Sequence, residues 1–200
     1  MRRRRVLRWL FALSGLIPLL PLLNPQPDPT LLIYTLFVLT YFITDGGAGA
    51  RYQDIRAATW SFGLAVVGAG LLLECLAWSS NFLKCNPQPA LMHPQLLPDL
   101  ALGLAFYGGW AIAWLVMLRY FSFSLRQVFC TQAAFGVLIE QRGAIFLGGL
   151  VTMPLGLALW LYVFVVYGSI AGIAYLLFGG PLFDGFFIEL DSRRQPAVLD

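Results

Sequence analysis

Apolar residues along this chain come in unbroken runs rather than in alternation, and most of the runs have the length that crosses a lipid bilayer. The first is Val6 to Leu23, preceded by the basic start Arg2 to Arg5 and with Arg8 near its beginning. The second, Thr30 to Thr44, is short of the ~20 residues that span a typical hydrocarbon core, so it must extend or the bilayer must thin. Ala57 to Trp78, Leu100 to Leu118 and Leu155 to Phe178 follow. Gln127 to Met153 differs from all of these: it is long enough to cross, yet Glu140, Gln141 and Arg142 sit in its middle. Charged groups at that depth are costly and mark a functional or structural centre.

The breaks between runs are as legible as the runs. Asn24-Pro25-Gln26-Pro27-Asp28-Pro29 ends the first, and no small-x-small site follows Leu23, so the segment reads as an uncleaved membrane helix. Ser79 to Pro98 is a proline-rich external loop, and Gly179-Gly180-Pro181 stops the last crossing ahead of a cytoplasmic tail, residues 182–200. The predicted fold is one all-α integral membrane domain, a bundle of about six transmembrane helices. Two alternatives for Gln127 to Met153 leave five crossings: a re-entrant hairpin with its tip at Glu140 to Gly143, or a short surface helix before one long, Pro154-kinked helix.

Arginine placement argues for six. Arg2 to Arg5, Arg8, Arg51, Arg56, Arg119 and Arg126 fall in the segments assigned to the cytoplasm, and the external loops hold only Lys84, a nine-to-one bias. Both alternatives put Arg193 and Arg194 outside, against that bias. The insertion balance for the central segment is close. Its aliphatic and aromatic residues contribute roughly −3 to −7 kcal/mol, whereas a central Arg alone costs about +2.5 to +3.5 and Glu a comparable amount. It needs polar partners from the bundle, and Gln127, Thr131 and Gln141, near one face with Arg142, are the expected pocket.

Helix faces supply the remaining candidates. Gly63, Gly70 and Glu74 share a stripe that admits a neighbouring backbone, with Glu74 about a turn from Trp78 and expected to snorkel to the interface. In the fourth run Ala101, Ala105 and Gly108 form a small face predicted to pack, opposite Gly103, Tyr107, Trp110 and Trp114. That aromatic face is the candidate for holding a lipid, quinone or pigment, with plain packing as its commoner use. Gly168 and Gly172 make a GxxxG contact.

Composition narrows the classes. The chain is 59% hydrophobic and 12% charged with mean hydropathy +0.75, so lipid is the solvent for much of its surface. A net charge of +3 makes no case for nucleic acid. Three cysteines and one histidine, His93, complete no metal pattern, and P-loop, GxSxG and GxGxxG motifs are absent. Cys75 and Cys85 are a candidate disulfide if the outer side is oxidising.

Three functions follow in order. The first is a non-enzymatic accessory or assembly component of a membrane complex in a bacterial plasma membrane, with its N-terminus cytoplasmic, the bilayer as solvent and a helix-packing protein as partner. The second is a membrane-embedded enzyme on a lipid or isoprenoid-like substrate, with Glu140 as acid/base, Arg142 and Gln141 orienting a headgroup and Gln132 assisting. The third is a small proton-coupled transporter using Glu140.

Overall fold

In lipid only internal hydrogen bonding satisfies the backbone, so each apolar run folds as helix. The computed structural model describes residues 2–44, 55–86 and 93–194, with side chains for 6–44, 56–86 and 93–179. The helices are α1 (Arg2–Ser14), α2 (Leu32–Ile43), α3 (Ile55–Leu83), α4 (Leu96–Tyr120), α5 (Leu125–Ile139), α6 (Ala144–Val151) and α7 (Gly156–Arg194). Two 3₁₀ segments, Ile17–Leu23 and Glu140–Gly143, complete the regular structure, with no strand among the described residues. Val6–Leu23, Arg56–Leu83, Leu96–Tyr120, Leu125–Val151 and Gly156–Gly179 are long and apolar enough to cross a membrane, and α2 is a shorter apolar helix. The chain is an all-α membrane bundle.

Helix α7 is its axis. Of its apolar span 61% is buried, against 11–33% in the other four long spans, and it packs on α2, α3 and α5. Small residues allow the approach. The ring of Phe129 lies over Gly168 and that of Phe37 over Gly172, where an added Cβ would meet them at 2.6 and 2.7 Å. The predicted GxxxG thus receives aromatic rings from two helices.

Contacts sort the turns into two ends. Lys84 Nζ donates to Asp28 Oδ2 at 2.7 Å, joining the α1–α2 turn to the end of α3. Trp78 Nε1 donates to the Pro94 carbonyl, which brings in the start of α4, and Tyr162 in the first part of α7 lies beside Thr30. At the other end Tyr175 Oη donates to the Phe123 carbonyl in the α4–α5 turn.

The register of the central segment against α7 distinguishes the three alternatives. Phe129 meets Gly168, Gly136 meets Tyr167, Phe146 stacks on Trp160 and Gly149 abuts Gly156. The chain therefore advances along α7 in one direction through the break at Glu140–Gly143. A re-entrant hairpin would run Ala144–Val151 back over the stretch that α5 already covers, and a surface helix would not line α7 at all. Residues 125–151 are one kinked segment that runs along α7 and turns tightly at Thr152–Leu155, so the bundle consists of five long apolar spans and the shorter α2.

Several boundaries shift for local reasons. The first run breaks after Ser14, because Pro18 and Pro21 withhold backbone donors and the chain tightens into 3₁₀ geometry. Helix α3 runs past Trp78 to Leu83, with Ser79 Oγ bonded back to the Cys75 carbonyl and Phe82 stacked on Trp78. The loop expected over Ser79 to Pro98 is correspondingly shorter, and residues 87–92 of it lie outside the described residues. Gly179-Gly180-Pro181 does not stop α7, which continues to Arg194. Residues 195–200 of the expected tail and 45–54 of the loop carrying Arg51 lie outside the described residues.

The proposed Cys75–Cys85 disulfide is corrected: both thiols are free. Unbroken helix from Cys75 to Leu83 carries the chain about 12 Å along its axis, beyond the span a disulfide bridges.

Burial alone would raise the Asp28 carboxyl, but hydrogen bonds from Lys84 and Thr30 and the Lys84 charge outweigh it and hold it below its ordinary value. The pair's contribution is complete above the unfolded carboxylate range and is lost as pH falls through the lowered Asp28 value. Asp28→Asn is expected to lower the melting temperature in detergent at neutral pH by about 1–3 °C. The gap to the wild-type protein should narrow as the pH is taken down through the carboxylate range, as followed by light-scattering melts.

Candidate functional site

Two sequence steps of the same form place the interior acids. Gly70-Leu71-Leu72-Leu73-Glu74 lies in α3, and Gly136-Val137-Leu138-Ile139-Glu140 closes α5. In a helix the first and last residues of such a step stand one above the other. At each step a tyrosine ring from another helix lies flat against the glycine and its hydroxyl reaches the glutamate one turn on. The Tyr107 ring of α4 covers Gly70, where an added Cβ would lie 2.3 Å from it, and Tyr107 Oη donates to Glu74 Oε1 at 2.5 Å. The Tyr167 ring of α7 covers Gly136 as closely, and Tyr167 Oη donates to Glu140 Oε2. Glycine is required at both steps because a methyl group would occupy the ring's place.

Trp110 joins the two clamps, with its ring centroid 5.9 Å from Tyr107 and 5.6 Å from Tyr167. One turn further along α4, Trp114 Nε1 donates to Gln132 Oε1 at 2.6 Å. Among the described residues, Gln132 Nε2 is buried without a hydrogen-bond partner. The result is a polar and aromatic seam at the middle of the bundle, in which each bond joins different helices: α3 to α4, α4 to α5, and the end of α5 to α7.

The structure therefore gathers Glu140, Gln132, Tyr107, Trp110 and Trp114 and leaves out Gln141 and Arg142. The expected pocket of Gln127, Thr131, Gln141 and Arg142 does not form. Gln127 is the third helical residue of a capping box with Ser124, whose Oγ accepts from the Gln127 backbone N–H, and Thr131 is exposed. Gln141 and Arg142 are exposed too, because the chain breaks there: both adopt left-handed backbone (φ 48° and 59°), followed by Gly143 at φ 85°. Left-handed conformation costs of order 1–3 kcal/mol at each non-glycine residue, and here it redirects the chain immediately after Glu140.

The aromatic face of α4 takes the packing role that was its commoner expected use, and the small face predicted to pack does not pack. Gly103, Tyr107 and Trp114 are buried and Trp110 is partly buried, while Ala101 and Ala105 are exposed and Gly108 has open space beside it. The reason is chemical: phenol and indole groups bring donors that find acceptors only in the interior. Glu74, expected at the interface, is 4% exposed. His93 serves the start of α4, its backbone N–H donating to the buried Asp99 carboxylate and its Nδ1 accepting from Gln95.

Beside the break lies an open apolar cavity of about 330 Å³, lined from α5 by Ala134, Val137 and Leu138, from α6 by Phe146 and from α7 by Trp160, Leu161 and Phe164. No group of three or more metal-ligating side chains occurs among the described residues.

Glu74 and Tyr167 are the site residues that reading by segment misses. The signal that could have found them is the repeated Gly-x-x-x-Glu step inside apolar helices, which offers space and an acceptor one turn apart. Comparison with protein-family models, with curated proteins and with solved structures finds no match to this chain.

Double-mutant cycles on stability in detergent check the seam. Tyr167→Phe with Glu140→Gln, and Tyr107→Phe with Glu74→Gln, are each expected to couple by about 0.6–1.7 kcal/mol, the range of interhelical bonds in membranes. Glu140→Gln with Arg142→Gln should be additive, because the break separates the two.

Proposed function

We propose that this chain is a non-enzymatic accessory or assembly component of a membrane complex, a rigid six-pass scaffold. The observation that carries the reading is the use made of the interior polar groups. Glu74, Gln132 and Glu140 each bridge two of the chain's own helices, an arrangement that stabilises a fixed packing. The orientation belongs to the same proposal. Arg8, Arg56, Arg119 and Arg126 lie at the bundle end where α7 leaves, so that end faces the cytoplasm, by the bias of basic residues toward that side. We assign the protein to a bacterial plasma membrane on the same proposal.

A membrane-embedded enzyme on a lipid or isoprenoid-like substrate is the second reading. It is favoured by the apolar cavity beside the break and by Glu140, which is only partly buried. The phenol of Tyr167 already engages that carboxylate, and Arg142 and Gln141 are turned away from it, so the headgroup-orienting set is not assembled around the acid.

Native mass spectrometry of the detergent-extracted protein separates the two. The scaffold reading expects a stoichiometric second polypeptide that persists in Glu140→Gln material still folded by thermal melt. A co-purified lipid or prenyl compound without a polypeptide would move the enzyme reading ahead. For orientation, a reporter active only outside the cytoplasm should be silent when fused at Arg51 or after Asp200 and active when inserted at Pro89. Activity at the C-terminal fusion would overturn the assignment.

A further inference from the structure

The α4–α5 turn, Phe121 to Ser124, is held from three sides. Tyr175 Oη donates to the Phe123 carbonyl, the Phe123 ring meets Trp114 edge-on at 5.7 Å, and the Ser124–Gln127 capping box starts α5. Three apolar spans end together at this level. Leu96–Tyr120 stops at the turn, Leu125–Val151 starts from it, and Tyr175 stands close to the end of Gly156–Gly179. The ends of the spans put the turn at the headgroup layer. Arg119, in the last turn of α4, and Arg126, in the first turn of α5, flank it. Both are exposed, and among the described residues neither makes an ion pair or side-chain hydrogen bond. Tyr120 and Phe121, between them, are 71% and 62% exposed.

Two guanidinium groups on a fixed turn make a positive patch that the bundle itself does not balance. Arg119 suits its place, because a cation complements the negative C-terminal end of α4. Arg126 does not: the first turn of a helix favours acids, and that of α5 has none. The described acidic side chains are engaged elsewhere, Asp28 and Asp99 at the opposite end and Glu74 and Glu140 in the seam. At that opposite end Lys84 is paired with Asp28, so the two ends differ in free charge.

We propose that the α4–α5 turn binds an anionic phospholipid, with Arg119 and Arg126 holding its phosphodiester and Tyr120 and Phe121 lying at the level of its glycerol backbone. Guanidinium matches phosphate oxygens with a planar fork that lysine lacks, and exposed aromatic rings belong at this interface. A headgroup of net negative charge, such as phosphatidylglycerol, is selected over phosphatidylcholine, whose quaternary ammonium opposes the two arginines. The inference goes beyond the accessory reading and holds equally for an enzyme.

The test is native mass spectrometry of the full chain in non-ionic detergent with equimolar phosphatidylglycerol and phosphatidylcholine, counting the lipids retained. The wild type should retain phosphatidylglycerol preferentially, and Arg119→Gln and Arg126→Gln should each lower the ratio about fivefold. Both residues are exposed, so thermal melts of the variants should match the wild type. Replacing both arginines with lysine keeps the charge without the fork and should give an intermediate ratio. Tyr120→Ala with Phe121→Ala should reduce retention of both lipids and leave their ratio unchanged. A wild-type ratio in the double Gln variant would overturn the proposal, as would an equal fall in Lys84→Gln, which would mark a general charge effect. Absence of any preference in the wild type would also overturn it, in favour of the acids that α7 carries past this end, Asp184, Glu189 and Asp191, as what balances the arginines.

Discussion

A carboxyl group held inside a bilayer must be given a donor, and in this bundle the donor arrives only where a glycine makes room for it. Tyr107 reaches Glu74 because its ring lies on Gly70, and Tyr167 reaches Glu140 because its ring lies on Gly136. Packing and hydrogen bonding are therefore one constraint. A larger residue at either glycine would displace the ring and leave the acid unpaired, at a cost of about 1–3 kcal/mol for the stranded group beyond any clash. Trp110 lies against both tyrosines, so the two clamps share a wall and the positions of α3, α4, α5 and α7 depend on it together.

The break in the fifth pass follows from that constraint. With Glu140 bound to the central helix, the next two residues leave the helical path in left-handed conformations before Gly143 restores it. One consequence is local: an apolar cavity opens where α5 and α6 diverge along α7. The other is that a carboxylate and a guanidinium two positions apart are separated: Glu140 stays bound to Tyr167 while Arg142 is exposed.

Much of the fold was legible in the sequence because the relevant free energies belong to segments. Burying about twenty apolar residues in lipid is favourable wherever the segment sits, and basic residues bias a connecting loop toward one side without reference to its neighbours. The apolar spans and the exceptional standing of the segment around Glu140 follow from sums over local sequence.

Rotation of each helix about its axis, and the partner each polar side chain finds, are decided only when helices meet. Glu74 near a helix end and Glu74 bound by Tyr107 have the same sequence context; the difference is made by α4, twenty-two residues beyond the acid. The small face of α4 suits packing, yet the aromatic face turned inward because indole and phenol donors have no acceptors in lipid. Glu140 and Arg142, two positions apart, parted company because one found Tyr167 on α7 and the backbone broke after it. By itself the sequence determined which stretches enter the bilayer and which carry charge, since transfer into lipid is additive along the chain. Only the tertiary structure decided which charges are satisfied within and which face outward, because a hydrogen bond requires two groups on different helices to meet within about 3 Å.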